Sequence, residues 1–78
     1  MPERDQAEAP IGNYANYLNV GCNAFEFVLD FGQFYPEEGH AGACVRIVTS
    51  PVYCKRFLRT LEQALREYEA EYGAVPEQ

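Results

Sequence analysis

Between residues 25 and 34 the chain alternates. Phe25, Phe27, Leu29 and Phe31 share one parity, and Glu26, Val28, Asp30 and Gly32 the other. A period of two with β-favouring side chains on one face predicts a strand over 25–34. Burying the four large side chains would contribute about 6–12 kcal/mol gross. A one-residue slip would turn Glu26 and Asp30 inward, so the register is well specified. Gly32 marks a bulge or a close approach of another backbone. A weaker alternation from Tyr14 to Cys22 predicts an earlier strand, with Asn23-Ala24 as the turn. Residues 36–42 (PEEGHAG) read as a loop by composition. Ala43 to Thr49 predicts a third strand, with Val45 and Ile47 on one face and Cys44, Arg46 and Val48 on the other. If the last two strands form a hairpin, Arg46 lies across from Glu26 or Asp30.

The period then changes. Cys54, Phe57, Leu58, Leu61, Leu65, Tyr68 and Tyr72 recur at helical spacing. Ser50 is a favoured N-cap, and Pro51 suits the first helical position. Gly73 supplies a left-handed C-cap, with Pro76 beyond it. The helix predicted over 51–72 is about 33 Å long at 1.5 Å per residue, and Glu62 and Arg66 form a well-oriented i,i+4 pair along it. The fold class is α+β: a three-stranded antiparallel β-sheet followed by one long C-terminal helix (βββα), with the sheet packed on the helix. Residues 1–12 are expected to be a disordered tail, 13–75 a single domain and 76–78 a C-terminal tail.

Two mismatches predict a dimer. A seven-residue third strand spans roughly 24 Å, so the helix would overrun it and carry Tyr68 and Tyr72 past the sheet. One helix also cannot cover both sheet faces, which leaves Val28 and Val48 open. A core this thin is marginal at 78 residues. A twofold homodimer answers all three problems. The expected interface is Val28, Val48, Leu65, Tyr68 and Tyr72.

Charge narrows the partners. Six Lys and Arg against twelve Asp and Glu give a net charge of -6. An acidic chain argues against nucleic acid as the main partner. No apolar run approaches a membrane span, and the polar start of the chain lacks the apolar core of a signal peptide, so a cytoplasmic location is expected. Three cysteines, Cys22, Cys44 and Cys54, cannot pair completely. They lack CxxC spacing, and His40 is the one histidine. A zinc site would need all four brought together, and buried apolar thiols are the simpler reading. Cys54 sits where a helix dipole favours thiolate, beside Lys55 and Arg56. No phosphate loop or nucleophile motif is present, so no catalytic residue, metal or cofactor is assigned. On the helix Lys55, Arg56 and Arg59 occupy the first half, whereas Glu62, Glu67, Glu69 and Glu71 dominate the second. This opposes the helix macrodipole. It fits an anion or acidic-partner cluster of Arg46, Ser50, Lys55, Arg56 and Arg59. It fits equally an antiparallel helix pairing between subunits, or a solvated face.

The run Tyr14-Ala15-Asn16, the stretch Phe25-Glu26-Phe27-x-Leu29-Asp30-Phe31-Gly32 and the junction Arg46-Ile47-Val48-x-Ser50-Pro51 together carry a likeness. With Lys55-Arg56, Leu58 and Leu61, and the ending Tyr68-Glu69-x-x-Tyr72-Gly73, the chain resembles the domain of unknown function 3467 family of small bacterial and archaeal proteins. The resemblance covers about residues 13–75. Cys22, Cys44 and Cys54 stand outside its pattern. It implies a small stand-alone domain and transfers no activity. The expected function is a non-enzymatic homo-oligomeric protein-interaction module, an adaptor or assembly subunit that binds itself and, in that role, another protein. The alternatives are a holdase or export-type chaperone for unfolded chains, and a β-ribbon or helix nucleic-acid-binding dimer.

Overall fold

The computed structural model describes residues 11–37 and 39–77, without the side chains of His40, Ala41, Ala43 and Cys44. The tail expected over 1–12 lies outside the described residues as far as residue 10, as does residue 78. Three strands, β1 (Tyr17–Cys22), β2 (Phe27–Tyr35) and β3 (His40–Thr49), precede one helix, α1 (Pro51–Tyr72). The sheet is antiparallel in the order β1-β2-β3, so β2 is central. The βββα architecture is the one the hydrophobic pattern predicts.

The boundaries differ in instructive ways. Leu18, Val20 and Cys22 lie across from Phe31, Leu29 and Phe27, so alternation is clean over the observed span of β1. Tyr14 and Asn16 spoil it, and both precede the strand. Asn16 extends the pairing by other means: its backbone N–H donates to Gly32 O (3.0 Å). Its side-chain Oδ1 accepts from Phe34 N (2.8 Å), and its Nδ2 donates to Phe34 O (3.2 Å). The first turn runs through Phe25 and Glu26, and this shortens the predicted second strand at its start. Asn23 Oδ1 accepts from both Phe25 N (2.7 Å) and Glu26 N (2.9 Å), and Asn23 N closes the turn on Glu26 O (3.0 Å). An Asx turn therefore claims the N–H groups that a strand would use. Phe25, expected in the core, is 81% exposed.

The third strand begins at His40, three residues earlier than composition suggests, because Gly42, Ala41 and His40 pair with Gln33, Phe34 and Tyr35. The loop shrinks to residues 36–39, and Gly39 turns at φ 73, where glycine avoids the Cβ penalty. At ten residues β3 spans about 34 Å. The short third strand behind one of the two expected mismatches is thereby overturned. Phe31 faces Val45 but Gly32 faces Ala43, which leaves Cys44 as the extra residue of a bulge. Gly32 is the one buried position among the described residues, in keeping with the expectation placed on it. The face expected for Cys44 alongside Arg46 and Val48 lies outside the described side chains.

The helix occupies the predicted residues. Ser50 caps it, its Oγ accepting from Tyr53 N at 3.2 Å. Gly73 ends it, donating its N–H to Glu69 O at 2.9 Å. Its conformation, φ 97 and ψ 169, is positive in φ but differs from the expected left-handed cap. Glu69 adds a second tie by accepting from Val75 N (2.9 Å). Arg66 donates to Gln63 Oε1 (3.2 Å) rather than to Glu62. The helix stands off the sheet instead of packing on it. One residue, extended Ser50, joins β3 to α1, and no residue along the helix is buried. Among the described residues no apolar side chain is buried, and no helix is long and apolar enough to cross a membrane.

Candidate functional site: an open apolar cleft

The register sorts the sheet into two faces. Leu18, Val20, Phe27, Leu29, Phe31 and Ile47 share the face turned toward the helix. Across from them the first half of α1 presents Pro51, Cys54, Lys55, Phe57, Leu58 and Leu61. Between the two lies a cleft of about 760 Å³. Lys55 brings its one charged group. A smaller hollow of about 280 Å³ continues along the same face past Phe31 and Ile47 to Val45, Asn13 and Ala15. The cleft is bounded by strand alternation on one side and helical periodicity on the other. The two periodicities aim their apolar residues at each other across a gap that neither fills.

The opposite face of the sheet is different in kind. Arg46 grips Asp30 there with two hydrogen bonds, Nε to Oδ1 at 2.7 Å and Nη2 to Oδ2 at 2.9 Å. This selects Asp30 over Glu26 as the partner. The hydrogen bond from Arg46 holds the Asp30 carboxyl below its ordinary pKa, against a smaller upward push from burial. The same bond raises Arg46. Arg46 remains 68% exposed and the Asp30 side chain 15%. Val28 and Val48 face each other beside this pair. Back on the parity of Phe27, Leu29 and Phe31, at the end of β2, Tyr35 donates its hydroxyl to Gln33 Oε1, and Gln33 Nε2 donates to Tyr14 O (2.9 Å).

The structure divides the expected interface residues. Val28 and Val48 lie on the outer sheet face, whereas Leu65, Tyr68 and Tyr72 continue the helix stripe beyond the cleft lining. Tyr68 and Tyr72 pack together, ring centroids 4.9 Å apart. The expected cationic cluster does not gather. Arg46 is engaged on the outer face and Ser50 Oγ in the cap, while Lys55 turns into the cleft. Arg56 lies 5.8 Å from the Tyr53 ring centroid, a cation–π contact. Arg59 sits one turn beyond Lys55 on the helix.

Cys22 and Cys54 are free thiols, and Cys54 lines the cleft. Cys22 pairs with Phe27 and His40 with Tyr35. The backbone therefore sets Cys22 and His40 at opposite ends of β2, about 27 Å apart. Among the described residues no group of three or more His, Cys, Asp and Glu could hold a metal ion. Sequence reasoning assigned Leu18, Val20, Leu29 and Ile47 to strand faces but not to a site. Their shared parity with Phe27 and Phe31 was the signal available.

Fold and surface together define a small α+β domain whose dominant feature is an unfilled apolar cleft. Residues 3–77 match the family described as protein of unknown function (DUF3467), and the chain belongs to it. No curated protein and no solved structure matches the chain.

Proposed function

We propose that this chain is a non-enzymatic subunit of a homo-oligomer, an interaction module that serves as an adaptor or assembly subunit. One observation carries this: among the described residues no apolar side chain is buried, while apolar side chains of sheet and helix line an open cleft. Folding stability rests mainly on apolar burial, and a chain that buries so little alone gains it by association. The cleft is too apolar to be left to water in an ordinary monomer surface. A chaperone would need apolar surface that survives assembly, and this cleft is the surface that assembly consumes. Nucleic-acid binding has less support, since Arg46 is committed to Asp30 and Lys55 to the cleft. Native mass spectrometry under reducing conditions tests the reading. An integer multiple of the chain mass is expected; a stable, cooperatively melting monomer at micromolar concentration overturns it.

A further inference from the structure

We propose that the cleft is occupied by the C-terminal helix of a second copy, the two helices running antiparallel about a twofold axis at the level of Gln63. This rests on the homo-oligomer proposed above and specifies its partner surface and register.

The spacing along α1 is the first support. Cys54, Leu58, Leu61, Leu65, Tyr68 and Tyr72 follow one another at four, three, four, three and four residues. That unbroken heptad rhythm is the seam of a helix that packs lengthwise on another helix. The sheet of the same chain does not explain it, because the cleft lining ends at Leu61 while the seam runs on to Tyr72.

Charge decides the direction. Lys55, Glu62 and Glu69 flank the seam on one side, and Phe57, Ala64 and Glu71 on the other. A parallel pair would bring both acidic halves together. An antiparallel pair that sets Leu61 against the partner's Leu65 brings Lys55 to the partner's Glu69, twice by symmetry. The same register places small Cys54 opposite the partner's Tyr72, and Ala64 beside the partner's Ala64 near the axis. Its one like-charge meeting is Glu62 with the partner's Glu62, each with Arg59 and Arg66 within a turn on its own helix.

Area supports the same occupant. Nine apolar residues of the cleft and seam are each 41–71% exposed. At about 80–100 Å² each they offer roughly 800 Å² per copy. A pair would bury about 1,600 Å², the size of a standard specific interface.

Spin labels on the outward side of the helix read the register. Gln63→Cys, Arg56→Cys and Ala70→Cys are each made in a chain whose native cysteines are replaced by serine or alanine, and the mass of that chain is checked against the parent. The proposal expects the shortest label-to-label distance at 63. Positions 56 and 70 should each be separated by an additional 21 Å or so along the axis, fourteen residues at about 1.5 Å. Equal distances at all three positions would mean parallel helices, and a steady trend from 56 to 70 would mean pairing through a sheet edge. Either result overturns the register while leaving the oligomer standing. A monomeric mass would instead sink the reading beneath it. A charge exchange gives an independent check in the native-cysteine chain. Lys55→Glu should weaken association about tenfold, and adding Glu69→Lys should restore it. No rescue by the double variant refutes the pairing.

Discussion

Leu61 is the position where the proposed assembly can be weighed most directly. It is 62% exposed in the single chain, although it lies in the middle of the seam and at the edge of the cleft. Complete burial of a leucine side chain contributes about 1.5–3 kcal/mol. Burying the part still open therefore contributes about 1–2 kcal/mol per copy, and about 2–4 kcal/mol per twofold dimer. Leu61→Ala should thus raise the dimer Kd by roughly thirty- to several-hundred-fold. Helix propensity does not confuse the result, since alanine is at least as good a helix former as leucine. Val52→Ala is the control. It also trims an exposed apolar side chain, 63% open, on the same helix but off the seam. Sedimentation equilibrium over a concentration series measures both. The reasoning is refuted if Leu61→Ala and Val52→Ala associate equally well. A second readout follows from coupled folding and association: the parent's melting temperature should rise with protein concentration.

Two further outcomes concern the single chain's own ties. The Asp30 pKa is depressed in the folded state by Arg46, so the pair stabilises the fold above the ordinary carboxylate pKa and loses that effect as pH falls through the folded value. Melting temperature should therefore drop more steeply below about pH 4 in the parent than in Asp30→Asn; parallel acid limbs in the two proteins would count against the pair. Ser50→Ala removes the acceptor for Tyr53 N and should cost about 1 kcal/mol in thermal or urea unfolding, with Ser50→Asp close to the parent.

The helix was the most legible element because both of its ends are written locally. Ser50-Pro51 starts it and Gly73 stops it, and nothing distant is needed to place either. The strands were less legible where the deciding partner is remote in sequence. His40, Ala41 and Gly42 look like a loop by composition, yet Gln33, Phe34 and Tyr35 recruit them into β3. Phe25 has the parity of a strand residue, but the Asn23 side chain takes its N–H first. The bulge at Cys44 was foreshadowed by Gly32 alone, on the neighbouring strand. The residues of the cleft could be read from periodicity, but the gap between its walls could not. Apolar pattern says which faces want burial, and it is silent on the distance between them.

That distance has a simple mechanical origin. Between Thr49, the last residue of β3, and Pro51, the first of α1, stands Ser50 alone, at φ -86 and ψ 161. The proline ring bars Ser50 from the helical region, so the joint is splinted open by covalent geometry. The helix is a rigid arm of about 33 Å mounted on that joint. A 10° turn at its base would swing Tyr72 by about 6 Å, roughly the width of a side chain. The aperture of the molecule is thus set by torsion at one serine, splinted by one proline, and not by the residues that line it. A chain of this design can change the width of its cleft by altering two neighbouring positions, with every lining residue left as it is.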